Sequence, residues 1–281
     1  MEQFDNLSDD GLITPEIGIW GEEKYRLISC YASMFSLTMT NKWDCIVYLD
    51  LFSGAGRARI KENNKILNSS SLLVLGQEHK FTKYIFNDDN PENANALRAR
   101  ISTSYPQVDV EVFCEDANHQ IDKILTSIPR GHKGYKVLTF CLIDIFKMGN
   151  LKFSTIESLS KYFMDFLVLI PSDMDANRNE RNYLQLENTT IDDFLGNTEW
   201  RDTWTSSGND PMSFGQFIVD EFGKSMGTLG FNVPSLDQTA GIKNSKNRVM
   251  YRLALYSKSK IAGKFWRECM KYTNPQTGFD F

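Results

Sequence analysis

Four aspartates, Asp50, Asp88, Asp116 and Asp144, each follow a stretch of apolar, β-favouring residues, and the first opens into a turn carrying Gly54 and Gly56. An ionised carboxylate only accepts hydrogen bonds, through two oxygens with about four lone-pair positions. One such group can take both hydroxyls of a ribose, a second the exocyclic amine of adenine, and a third can orient or deprotonate a nucleophile. The two glycines carry no Cβ, so the backbone there can turn tightly and approach a ligand closely. Acids at strand ends also act as helix caps and first-turn dipole partners. Their recurrence after four successive strands, with the glycine turn at the first, favours a ligand site.

The elements that must position these groups follow from hydrophobic pattern. Ile46 to Asp50 has the composition of a buried strand, and Lys83–Asn87, Val108–Phe113, Tyr135–Ile143 and Phe166–Ile170 follow as further strands. Helices fall between them. One starts at Pro91 with Asn90 as cap, one runs through Ile121, Ile124 and Leu125, and one is capped by Ser154 with Ile156, Leu159, Tyr162 and Phe163 on one face. An earlier helix runs from Glu22 to about Leu37, and a short one from Leu72 to about His79 follows Ser69, Ser70 and Ser71. Met212 to Met226 is amphipathic, and Phe231–Val233 and Val249–Tyr256 read as the last two strands. Strand and helix alternate as in an α/β, Rossmann-like, doubly wound, mostly parallel sheet of about seven strands with the last one antiparallel. In such sheets ligands bind at the carboxyl ends of the strands. Residues 1–19 read as an N-terminal arm and 20–281 as a single domain; residues 172–210 break the alternation and predict a lid-like insertion. Arg57 to Leu67 reads as charged and irregular.

Composition narrows the class. A net charge of −5 and a pI near 5.4 argue against wholesale wrapping of a duplex, while Arg57, Arg59, Lys61 and Lys65 leave room for a local basic mouth. No apolar run reaches the roughly 20 residues needed to span a bilayer. The N-terminus, Met1-Glu2-Gln3-Phe4-Asp5, has no apolar signal region, so a cytoplasmic protein without membrane attachment is expected. The five cysteines form no C-x-x-C pair and the three histidines lie far apart, which argues against a disulfide framework and against a metal site.

The third glycine of a dinucleotide fingerprint would fall at Arg59, and there is no Gly-Lys-Ser/Thr phosphate loop. Asp50-Leu51-Phe52-Ser53-Gly54-Ala55-Gly56 instead resembles motif I of S-adenosylmethionine (SAM) methyltransferases, whose loop holds the methionine end of SAM. On that resemblance Asp50, Phe52, Gly54 and Gly56 belong to the methionine end, Asp88 to the ribose, and Asp116 with Ala117 to the adenine. Asp144 and Phe146 would position a nucleophile near the sulfonium methyl. Methyl transfer is an in-line displacement that needs alignment in a dry pocket, and neither metal nor covalent intermediate. A nuclease holding magnesium would need the acids to converge on one point; successive strand ends fan them across a pocket.

Over Trp20 to about Lys271 the chain resembles the three-Cys-motif partner family, known from bacterial genomes. The matching blocks are Tyr48 to Arg57, Ser69 to Leu73, Tyr84 to Asp88 with Pro91-Glu92-Asn93, Glu115 to Asn118, Ile143-Asp144, Asp175 to Asn179, and Tyr251 to Trp266. The resemblance implies a SAM-methyltransferase-like Rossmann fold with loops similar to those of base and amino methyltransferases. It points to N-methyl transfer onto a nucleobase, nucleotide or nucleic acid. Members tend to be encoded beside a radical-SAM-like protein with a three-cysteine motif, which makes such a protein a candidate partner. One departure bears on activity. The family has Asp-Pro-aromatic where this chain has Asp144-Ile145-Phe146, so φ is not fixed at the position whose carbonyl would hold a target amine. That leaves open a catalytically weak or inactive SAM-binding accessory module acting with the partner. Asn177 and Arg178, after the fifth strand, are candidate substrate-binding residues, Arg178 for a phosphate or carboxylate.

Overall fold

The computed structural model describes residues 4–206 and 212–273. In chain order the elements are β1 (Glu16–Ile17), α1 (Trp20–Met39), β2 (Cys45–Asp50), β3 (Arg57–Ile60), β4 (Ile66–Asn68), α2 (Ser70–Leu75), β5 (Lys83–Asn87), α3 (Pro91–Ser104), β6 (Val110–Phe113), α4 (Ala117–Leu125) and β7 (Val137–Asp144). There follow α5 (Phe153–Leu159), β8 (Met164–Ile170), α6 (Asn177–Tyr183), α7 (Thr190–Leu195), α8 (Trp200–Ser206), α9 (Phe214–Thr228), β9 (Ala240–Lys243), β10 (Val249–Tyr256) and α10 (Lys260–Thr273). Seven strands form one mostly parallel sheet in the order β6-β5-β2-β7-β8-β10-β9. The last strand in sequence, β10, runs antiparallel to both its neighbours. The expected fold class is the one observed. Strand order proceeds outward from β2 on one side and β7 on the other, so the topological switch point lies between them.

The chain divides into two compact units, Met1–Leu142 with Lys264–Phe281, and Ile143–Gly263. In the first, every residue of β2 is buried, as a strand covered on both faces requires. Tyr48 of β2 and Phe140 of β7 meet at 5.5 Å between ring centroids, and Tyr31 of α1 lies edge-on to Phe140 at 5.1 Å and to Trp266 of α10 at 5.9 Å. Such pairs add about 0.5–1.5 kcal/mol each beyond the area they bury. Asn90 caps α3 by accepting from the Glu92 amide, with Pro91 in the first helical position.

Three expectations change in this unit. The stretch from Arg57 to Leu67 is a hairpin, β3 with β4, whose tight end includes Asn64 at φ +59°. Its period-two pattern is present in the sequence: Ala58 and Ile60 are buried while Arg57 and Arg59 face outward. The arm is also built in, because β1 pairs in parallel with β3 to complete a second sheet, β1-β3-β4. The short helix after the hairpin covers Ser70–Leu75 and stops at Gly76, short of the predicted His79.

In the second unit β8 is wholly buried and runs into a π-helical turn at 172–176. Phe194 and Phe222 stack at 4.8 Å, and Phe222 meets Tyr256 at 5.6 Å, packing α7, α9 and β10 together. Ser213 and Gln216 close a capping box on α9. Phe231–Val233 is not a sheet strand: Asn232 forms only an isolated bridge with Ser257, and the strand beside β10 is Ala240–Lys243. Phe163, expected on an inner helix face, is 71% exposed because α5 ends at Leu159. The predicted insertion is helical over much of 172–206; its remainder to residue 210 lies outside the described residues, as do 1–3 of the arm and 274–281. Among the described residues no helix is long and apolar enough to cross a membrane.

Candidate functional site

The glycine turn is held from several sides. Asp50 is fully buried beneath it; Oδ1 accepts from the Phe52 amide at 3.2 Å and Oδ2 accepts from the Ser70 hydroxyl at 2.7 Å, which ties the end of β2 to the start of α2. Gly54 and Gly56 take φ of +61° and +86°, a region costly for any residue with a Cβ. The two glycines differ in surroundings. A Cβ built on Gly56 would lie 2.9 Å from Leu97 Cδ1 and 3.1 Å from Leu72, whereas one on Gly54 would meet nothing within 4 Å. Gly56 is therefore required by packing, and Gly54 presents bare backbone to open space.

Asp88, at the end of the strand beside β2, holds that turn directly. Its Oδ2 accepts from the Gly54 amide at 2.9 Å, and its Oδ1 accepts from the Asn90 amide at 3.1 Å and from Asn93 Nδ2 at 3.0 Å. Burial pushes the Asp88 pKa above the ordinary carboxylate value, and the three hydrogen bonds only partly offset that. Asp116 caps α4, accepting from the amides of Asn118 at 2.8 Å and His119 at 3.4 Å and from His119 Nδ1 at 2.8 Å. Partial burial works to raise its pKa, but the His119 contact and the helix amides prevail and lower it. Ala117 is the buried first residue of α4, and Phe52 is half-buried. Because β6, β5 and β2 are adjacent and parallel, Asp116, Asp88 and Asp50 stand at neighbouring carboxyl ends of one sheet. On the other side of β2, β7 runs parallel with Leu142 opposite Asp50 and ends at Asp144.

Sequence reasoning missed the residue that joins these strand ends. Asn87, the last of β5, is 1% exposed; its Nδ2 donates to the carbonyls of Leu51 at 3.1 Å and Glu115 at 3.0 Å, and its Oδ1 accepts from the Glu115 amide at 3.1 Å. Its own carbonyl accepts from the Ser53 amide at 2.9 Å and the Ser53 hydroxyl at 3.1 Å. The available signal was a carboxamide closing an apolar strand, since a buried amide needs all its partners.

The remaining candidates lie in the second unit. Asp144 is half-buried, Ile145 is buried, and Phe146 is 62% exposed with the Lys147 ammonium 5.7 Å from its ring centre. The turn that follows is anchored by Asp175, a second residue without an assigned role in the sequence. Its Oδ2 accepts from the Met148 amide at 2.6 Å, and its Oδ1 accepts from Asn179 Nδ2 at 2.6 Å and the Tyr183 hydroxyl at 2.9 Å. Burial and the adjacent carboxylate push the Tyr183 pKa up. Asn177 donates to Asp173 Oδ1 at 2.7 Å and accepts from the Gly215 amide at 2.6 Å, fastening the start of α9 to the π-helical turn. Gly215 has no alternative there, since a Cβ would sit 2.2 Å from the Ser172 carbonyl oxygen. Arg178 projects from α6 and is exposed.

The basic run after the glycine turn is not an open cationic mouth. Arg57 pairs with Asp10 at 3.0 Å, Arg59 with Asp9 at 2.6 Å, Lys65 with Glu22 at 3.3 Å and Lys61 with Glu16 at 3.8 Å. Among the described residues no group of three or more His, Cys, Asp and Glu side chains is arranged to hold a metal ion.

No protein-family model matches the chain, and no curated protein matches its sequence. Among solved structures, a protein from Legionella pneumophila str. Philadelphia 1 is similar at 12% identity, covering 89% of this chain and 93% of that one, with a TM-score of 0.48. Magnesium protoporphyrin IX methyltransferase (ChlM) from Synechocystis PCC 6803 with bound SAH is similar at 13% identity over 85% of this chain and 84% of that one, TM-score 0.44. The CurJ carbon methyltransferase is similar at 10% identity over 82% of this chain and 54% of that one, TM-score 0.42.

Proposed function

We propose that this chain is a SAM-dependent methyltransferase acting on a nitrogen of a nucleobase, nucleotide or nucleic acid. The observation that carries this reading is the Asp88–Gly54 pair: a buried carboxylate holding the amide of an open, positive-φ glycine turn where the first strand of the parallel sheet ends. The residues fit the cofactor. Gly54 leaves clear the volume a Cβ would occupy, so the backbone can receive the methionine end, with Gly56, Phe52 and Asp50 shaping and supporting the turn. A carboxylate offers about four acceptor positions, and Gly54, Asn90 and Asn93 engage three on Asp88, which leaves capacity for a ribose hydroxyl. Asp116, at the next strand end with Ala117 behind it, can accept from the adenine amine.

When bound, SAM supplies an electrophilic methyl on a sulfonium. The chain's own groups do the rest. Asp144 orients the attacking nitrogen or receives its proton. The exposed ring of Phe146 offers a stacking face for a flat base. Arg178 holds a substrate phosphate or carboxylate, on a helix that Asn177 fixes in place.

Titration calorimetry with SAM and with SAH, its demethylated product, tests the cofactor. Saturable heat is expected, and a folded sample giving none with either overturns the reading. Tritiated methyl transfer to lysate fractions tests the reaction. Asp144→Asn should abolish transfer and leave cofactor affinity intact. Binding without transfer to any fraction would instead favour the accessory module working with a radical-SAM-like partner.

A further inference from the structure

Arg100 sits within α3, yet its side chain is 3% exposed. Its fork is engaged throughout: Nε donates to Asp10 Oδ2 at 2.8 Å, Nη2 to Asp10 Oδ1 at 2.7 Å and to Thr14 Oγ1 at 3.1 Å, and Nη1 to the carbonyls of Ala55 at 2.6 Å and Ile13 at 3.0 Å. A guanidinium is buried without large cost only when a carboxylate meets it in this bidentate way. Asp10 and Thr14 belong to the arm, and Ala55 is the middle residue of the glycine turn. Asp10 also pairs with Arg57, the residue after Gly56, and the Pro15 carbonyl accepts from the Arg59 amide at 2.9 Å.

The turn is thus gripped on successive groups by opposite charges. Asp88 holds the Gly54 amide, and Arg100 holds the Ala55 carbonyl. Ala55 has a glycine on either side, so its flanking peptides meet little steric resistance to reorientation. The grip, rather than local chain stiffness, selects their direction.

We propose that Arg100 and Asp10 are positioning residues that fix the Ala55 peptide, and that the N-terminal arm is a structural wall of the glycine turn rather than a tether. The consequence for cofactor affinity rests on the methyltransferase reading; the consequence for the turn does not. A turn spread over several conformers binds more weakly by the fraction that is competent.

The test uses the full chain with Asp10→Asn and Arg100→Lys. Lysine keeps the charge but cannot span Asp10 and Ala55 as a fork does. Asp10→Asn is the milder change and keeps the shape of its partner. Hydrogen exchange is followed without ligand in peptides covering 52–58 and in β2, and SAH affinity is measured by calorimetry. Exchange at 52–58 is expected to rise about ten-fold with β2 unchanged, and the SAH Kd to rise by about the same factor. A merely structural contribution to stability would raise exchange in β2 as well, and that outcome, or unchanged exchange at 52–58, overturns the proposal. Faster exchange with undiminished SAH binding overturns the link to the cofactor. If the wild type binds no SAH, the functional reading fails, and the exchange data alone still decide the role of Arg100.

Discussion

The Gly54 amide donates to Asp88 Oδ2 at 2.9 Å, so the acid that follows β5 holds the turn that follows β2. In Asp88→Asn one acceptor oxygen becomes a donor and the contact cannot be kept together with those to Asn90 and Asn93. SAH affinity should fall about ten-fold or more, the scale of one lost charge-assisted hydrogen bond. The wild type should also lose affinity on acidification sooner than an ordinary aspartate would allow, because burial has raised the Asp88 pKa and protonation removes the acceptor. Calorimetry across the acidic range checks both; affinity flat down to the ordinary carboxylate range would contradict the role given to Asp88.

Gly54 and Gly56 should separate binding from stability. Gly56→Ala combines a φ of +86° with a 2.9 Å approach to Leu97, and is expected to destabilise by about 2–3 kcal/mol. Gly54→Ala has only the φ of +61° to contend with, about 1 kcal/mol, but its methyl occupies the cradle. Urea unfolding should rank Gly56→Ala as the less stable variant. SAH titration should rank Gly54→Ala as the weaker binder relative to its stability.

The arm carries a pH dependence of known sign. The Arg100 guanidinium beside Asp10 holds its pKa down to about 2, against an ordinary 3.8. A depressed carboxyl contributes stability that is complete above the unfolded value and is lost as pH falls through the folded one. The difference of nearly two units corresponds to at most about 2.5 kcal/mol, reduced by the partial exposure of Asp10. Urea midpoints of wild type and Asp10→Asn should therefore differ above the ordinary aspartate value and converge as pH approaches the folded one. A gap that persisted at the acid end would count against the ion pair.

Asp175→Ala would leave the Met148 amide, the Asn179 amide group and the Tyr183 hydroxyl without their shared acceptor. A loss of about 3 kcal/mol in unfolding free energy is expected from stranding buried donors. Asp175→Asn, with one oxygen retained, should lose less. Denaturant titration ranks the two, and equal stability in both would mean the acceptor is not needed.

Much of the sheet was legible because β2, β5, β7 and β8 are continuous apolar runs, the pattern of strands buried on both faces. The strand Ala240–Lys243 escaped because Ala-Gly-Ile-Lys at a sheet edge has no run to detect. The hairpin after the glycine turn escaped for another reason. Arg57 and Arg59 look like loop charges until their partners, Asp10 and Asp9, are known, and those lie far upstream in the sequence. The positions of the strand-end acids could be read, but not what each faces. Asp50 and Asp88 both follow apolar strands, yet one lies fully buried beneath the turn while the other holds its amide. Asn87 and Asp175 act through several partners brought together only by folding, and no local spacing reports that.

The bonds made by Asn87 differ in kind from the ionic contacts of the arm. A carboxamide has no proton to gain or lose in ordinary solution, and this one is sealed away from dissolved ions. Acid strong enough to protonate Asp9 and Asp10 would loosen the strap while the stitched ends of β2, β5 and β6 stayed registered. The mouth of the sheet is in this sense a frame indifferent to acid, with one wall whose hold on the turn is not.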